Sequence, residues 1–192
     1  MMSYPRYLVA IALAVAAVQI GILGSMILTR ASALRGGHEV TLEVRPVDPR
    51  DLLRGDYVVL GYDISSLPAA LFEGQGAADA AERTVYVRLR QGEEGVAEAV
   101  AARFGAPPQG EPRTGEVDIR GQTHVAPDAI GDFVPVDYGI ERFYLPEGEG
   151  RPIEEGMRER PFRMKVAVSG DGTAQIKAFY DGDTLIYAEP IY

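Results

Sequence analysis

The chain has 192 residues, with 19 Lys and Arg against 28 Asp and Glu, and a formal net charge of −9. The charges are unevenly placed: Tyr7 to Thr29 hold none, only Arg6 among the Lys and Arg residues precedes that run, and every acidic residue follows it. The part beyond carries 18 basic against 28 acidic groups, which excludes a simple soluble globule and a nucleic-acid binder working through a basic face.

The uncharged run YLVAIALAVAAVQIGILGSMILT has 23 residues. At a rise of about 1.5 Å each it is long enough to cross a hydrocarbon core of about 30 Å. It exceeds the usual length of a signal-peptide apolar region, so an uncleaved signal-anchor over about residues 7–29 is expected, although Ala31-Ser32-Ala33 resembles a cleavage site. Arg6 lies on one side and Arg30, Arg35 and Arg45 on the other, and this count leaves orientation open because a long domain follows the span. Residues 31–37 read as a linker ending in Gly36-Gly37, and residues 38–192 as the domain. The absence of Cys excludes disulfides, thiolate metal sites and Cys nucleophiles.

After the linker, short apolar runs alternate with Gly and Pro turn signals, the pattern of a mainly β domain. His38 to Arg45 alternates, with Val40, Leu42 and Val44 on one face. Asp48 to Gly55 carries the signals of a short helical turn: Asp48 to cap, Pro49 at the first position, Gly55 at the stop. Asp56 to Ile64 is a second strand, with Val58, Leu60, Tyr62 and Ile64 on one face. Ser65 to Glu82 is an Ala-rich connection with one helical turn near Pro68 to Phe72. Thr84 to Arg90 is a strand that pairs with Gly95 to Ala102, and 114–125 and 131–138 are weaker strands. Pro152 to Arg160 reads as a charged helical turn. Two Asp-Gly turns, at 171–172 and 181–182, join three alternating runs into a closing meander. The expected architecture is an N-terminal single transmembrane helix followed by one antiparallel β-rich domain with short helical turns.

Gly55-Asp56-Tyr57-Val58-Val59-Leu60-Gly61-Tyr62 spells GDYxxLxY, preceded by Pro46 to Arg54 (PVDPRDLLR). Tyr138-Gly139-Ile140-Glu141 and Leu145-Pro146-Glu147-Gly148-Glu149-Gly150 make a second block. Over about residues 38–190 the chain resembles the bacterial family named after the first motif. That resemblance implies an N-terminal membrane segment, an extracytoplasmic domain in the bacterial envelope and membrane-protein neighbours. It supplies no reaction.

Two readings of the motif residues are open. In the structural one, Leu60 and Tyr62 fill the core, Gly55 supplies a positive φ, and Asp56 pairs with Arg50 or Arg54. In the functional one, Arg50, Asp56 and Tyr57 line a cleft for a polar ligand, with Arg54, Tyr138, Gly139, Glu141, Pro146, Glu147 and Gly148 as further candidate binding residues. The Glu residues 141, 147, 149, 154 and 155 suit acid–base work or a hard cation, but a solvated acidic loop is the simpler account.

His38 and His124 lack metal-ligand spacing, and a Ser–Lys hydrolase has only Lys165 and Lys177 to draw on. No metal and no cofactor is expected. Along the anchor, Ala10, Ala14, Ala17, Gly21 and Ser25 recur at three- or four-residue steps, with Gln19 among them. Small residues on one face let another membrane helix approach closely, so Ala14, Ala17, Gly21 and Ser25 are the candidate interface. The expected partners are the bilayer and an integral membrane protein. The preferred function is a non-catalytic accessory or binding module. The alternative is an envelope hydrolase or lyase using carboxylates of the second block.

Overall fold

The computed structural model describes residues 6–46, 57–74, 79, 81–144, 156 and 160–189. It contains one long helix, α1 (Arg6–Gly36), rich in Ala, Leu and Ile. Ala and Leu favour a helix, and with no polar face the helix exposes apolar side chains all round, from Tyr7 through Leu28. It is long and apolar enough to cross a membrane.

Residues 31–36, expected to form a linker, instead continue this helix. Ala31, Ala33 and Leu34 are buried, and the end of α1 packs on the strands β9 (Phe162–Val168) and β10 (Ala174–Asp181). Apolar burial therefore carries the helix past the uncharged run that ends at Thr29. The Gly37 N–H closes the final turn on the Ala33 carbonyl at 2.9 Å, and Arg30 pairs with Glu189 at 2.7 Å.

The remaining strands are β1 (His38–Pro46), β2 (Tyr57–Tyr62), β3 (Ser66–Pro68), β4 (Thr84–Gln91), β5 (Ala97–Phe104), β6 (Glu116–Gln122), β7 (Phe133–Pro135), β8 (Arg142–Tyr144) and β11 (Thr184–Ala188). They form a six-stranded antiparallel sheet in the order β11-β10-β9-β1-β2-β8, a three-stranded sheet β5-β4-β6 and a small pair β3-β7. The fold is mainly β, as the alternation predicts, and β9-β10-β11 is the expected meander with Gly172 and Gly182 in its turns. Leu42 and Val44 of β1, Met164 and Val166 of β9, and Val85, Val87 and Leu89 of β4 point into one shared apolar cluster.

Some elements differ from expectation. The strand expected over 56–64 stops at Tyr62, where Ser65 Oγ accepts the Tyr62 N–H at 3.1 Å and a 3-10 turn, Asp63–Ser65, begins. Ile64 stays in the core from that turn, with 2 % of its surface exposed. Strand β3 lies in the stretch expected to be a connection, and β8 in one assigned no element; each has three residues, too few to show a period. The expected turn at 48–55 lies outside the described residues, as does the glutamate-rich stretch 145–155.

Candidate functional site

The two motif blocks meet. Tyr57, Val58 and Val59 of β2 stand opposite Tyr144, Phe143 and Arg142 of β8. One residue further along, the Leu60 N–H donates to the Glu141 carbonyl at 2.7 Å. Leu60 and Tyr62 face inward and are almost fully buried, whereas Val59, on the opposite face, is exposed.

Tyr62 donates its hydroxyl to the Ile140 carbonyl at 2.7 Å, and Tyr138 donates its hydroxyl to the Ile64 carbonyl at 2.8 Å. Each tyrosine therefore closes a buried hydrogen bond inside the other's segment. Neither ring brings an unsatisfied polar atom into the core, as burial without strain requires. Burial, reinforced by the Glu141 carboxylate, pushes both phenols above their ordinary value of 10. The Glu141 carboxylate also accepts the Tyr138 N–H, and Gly139 between them has φ +79°, a region that favours glycine. The Tyr-Gly-Ile-Glu block is thus a tight turn pinned at both ends.

The other candidate residues divide as follows. Arg50, Arg54, Gly55, Asp56, Pro146, Glu147 and Gly148 lie outside the described residues. Ala14, Ala17, Gly21 and Ser25 are exposed on α1, and Ser25 Oγ donates back to the Ile22 carbonyl at 2.7 Å. Among the described residues no group of three or more His, Cys, Asp or Glu is placed to hold a metal ion.

Beside the pinned turn runs an open groove of about 370 Å³. Its floor is the outer face of β4 and β6, with Thr84, Tyr86, Arg120 and Gln122; its wall is Gly139 of the second block and Asp137 just before that block. Tyr86 stands directly opposite Arg120 on β6 and opposite Arg103 on β5. Arg120 donates to Thr173 Oγ1 at 2.9 Å and lies 3.6 Å from Asp171. Gln122 donates to Thr84 Oγ1 at 3.2 Å. Among the described residues, the Tyr86 hydroxyl and the Asp137 carboxylate carry no hydrogen bond.

The wall can approach the floor only because position 121 is glycine. A Cβ there would lie 2.4 Å from Val136 Cγ1 and 2.9 Å from the Asp137 carbonyl oxygen, the second of which is backbone. The backbone of β6 is already occupied. Gln122 and Asp137 exchange N–H···O bonds at 2.7 and 2.8 Å, and the Arg120 N–H donates to the Gly172 carbonyl at 2.8 Å.

Further along the same face the sheet is closed. Arg88 binds Asp118 through two nitrogens, at 2.8 and 2.9 Å, and reaches the carbonyls of Pro108, Gln109 and Gly110. This clamp holds the loop over the sheet and leaves the Tyr86 end open.

Tyr86, Arg120, Gln122 and Asp137 were not singled out by sequence. The alternation of β4 turns Tyr86 outward, which was a usable signal. Its pairing with Arg120 and the wall at 137–139 depend on register and long-range contact, which carry no local signal.

No curated protein and no solved structure matches the chain. The model of the GDYXXLXY protein family matches residues 19–179, a span that contains both motif blocks, every lining residue of the groove and the second half of the apolar helix. The chain belongs to the GDYXXLXY protein family.

Proposed function

We propose that this protein is a membrane-anchored, non-catalytic accessory or binding module. In this reading α1 holds it in the bacterial inner membrane, the β-rich domain stands outside the cytoplasm, and it works beside a polytopic membrane protein. The observation that carries the non-catalytic part is the pairing of Tyr62 with Ile140 and Tyr138 with Ile64. Motif groups with the chemistry for proton transfer are committed to structural hydrogen bonds: the two phenols join the blocks, and the Glu141 carboxylate closes the turn within the second. The continuity of α1 into the domain supports the anchored part. Leu34 is 2 % exposed and Arg30 is paired with Glu189, so the domain is fixed close to the end of the apolar span.

Crosslinking the full chain in native membranes, followed by pull-down, tests this reading. Recovery of one stoichiometric polytopic protein is the expected result. Recovery of no membrane protein would overturn the accessory role and favour a hydrolase or lyase acting through second-block carboxylates. Protease added outside spheroplasts should remove the β-rich domain; complete protection would overturn its placement outside the cytoplasm.

A further inference from the structure

We propose that the groove over β4 and β6 binds a neutral, polyhydroxylated chain, that is, an oligosaccharide segment of an envelope glycan. The inference rests on the binding-module reading and names the ligand class of its groove.

Three features of the groove select that class. The first is its hydrogen-bonding capacity. It presents donors and acceptors together: the Arg120 guanidinium, the Gln122 amide, the Tyr86 hydroxyl and the Asp137 carboxylate. The last two have no partner among the described residues. Sugar hydroxyls both donate and accept, so such a mixture matches them better than it matches an all-acceptor phosphate.

The second feature is charge. Arg120 is offset by Asp171 at 3.6 Å and by Asp137 across the groove. Arg103 flanks Tyr86 on the other side, and the Glu82 carboxylate lies beside Gly105 in the lining. Signs alternate around the groove, so no single-sign field gathers an anion or a cation. A polyanion is disfavoured further by the net charge of −9.

The third feature is shape. The groove is open and about 370 Å³, the size range of small-ligand sites, with an aromatic ring on its floor. Aromatic rings supply apolar area together with a polar tip, which suits the mixed faces of a pyranose. An extended peptide would enter by adding a strand to a free sheet edge. The β6 edge facing the groove is already bonded to Gly172 and Asp137, so that mode is closed.

The pinned turn gives the motif a part in this site. Asp137 and Gly139 form the wall, and Tyr138 between them is held by Ile64 and Glu141. Glu141 and Tyr138 are therefore positioning residues for the wall.

The test uses the full chain in lipid nanodiscs, so that no sugar-headed detergent competes. Glucan, mannan and N-acetylglucosamine tetramers are offered in turn, with saturation-transfer NMR as the readout. At least one should bind with a Kd of about 1 mM or tighter. Tyr86→Ala and Asp137→Asn should each weaken that binding about tenfold or more. Tyr86→Phe, which keeps the ring, should retain most of it, and Lys177→Gln on β10 should leave it unchanged. The inference is overturned if none of the three tetramers binds. It is also overturned if binding survives both Tyr86→Ala and Asp137→Asn, or if an extended decapeptide binds the groove and the sugars do not. A folded thermal midpoint for each variant separates lost binding from lost fold. Failure here leaves the membrane-partner reading standing, because pull-down recovers a protein whether or not the groove takes a sugar.

Discussion

Tyr62 and Tyr138 are each bound to the backbone beside the other: Tyr62 to Ile140, two residues past Tyr138, and Tyr138 to Ile64, two residues past Tyr62. The bonds span 78 and 74 positions of sequence. This reciprocity joins the two motif blocks into one unit and sets the wall of the groove.

The first prediction concerns alkaline pH. Both phenols are pushed above their ordinary value of 10 by burial first and by Glu141 next. The folded state thus holds these protons more tightly than the unfolded state. Their contribution is complete below pH 10 and is lost as pH rises past it. Stability measured by denaturant should fall above pH 10, by up to about 2.7 kcal/mol per pH unit for these two groups. The Tyr62→Phe, Tyr138→Phe double variant should flatten that slope. Ultraviolet titration showing all 10 tyrosines ionising near pH 10 in the folded protein would contradict this.

At acid pH the relevant group is Asp171. Hydrogen bonds from Ser169 and Thr173, with Arg120 nearby, hold its carboxyl down at about 2 against an ordinary 3.8. A depressed value means the contribution is present above pH 4 and is lost as pH falls toward 2. Asp171→Asn should therefore lower stability at neutral pH and flatten the curve between pH 4 and 2. Parallel acid limbs for the parent and the variant would count against it. Because Asp171 is largely exposed, the effect should be small and sensitive to salt.

The Arg88 clamp yields a larger effect. Its side chain is 8 % exposed and that of Asp118 14 %. Removing one partner of such a pair leaves an uncompensated buried charge, at a cost of about 3–5 kcal/mol. Arg88→Met should lower the thermal midpoint by roughly 10 °C, at about 2–4 °C per kcal/mol. Arg88→Lys should recover little, because a lysine cannot form the two-nitrogen contact with Asp118. An unchanged midpoint for Arg88→Met would show that the loop over the sheet is held by other contacts.

Much of the fold was legible in the sequence because its cause is local. The runs at 38–46, 84–91 and 162–168 alternate, and alternation tells which of their residues face the core; in 174–181 an irregularity between Ile176 and Ala178 breaks the period and brings Phe179 inward. Asp171-Gly172 and Asp181-Gly182 marked their turns for the same reason. The continuation of α1 through residues 31–36 was not legible, since it depends on β9 and β10 covering Ala33 and Leu34. Strand β8 exists because β2 lies beside it; its three residues have no period of their own. Of the candidate site, the motif was visible as a string of residues and its inward face followed from alternation. The tyrosine exchange and the groove were not, because each depends on partners far away in sequence.

The central claim is that the motif tyrosines serve architecture, and Tyr62→Phe tests it most directly. The change keeps the ring and removes one buried donor, leaving the Ile140 carbonyl without it. Equilibrium unfolding should show a loss of about 1–3 kcal/mol, while the variant at a temperature where it stays folded still recovers the proposed membrane partner. A variant as stable as the parent that no longer recovers the partner would contradict the account, because the hydroxyl would then belong to a functional surface and not to the joint between the two blocks.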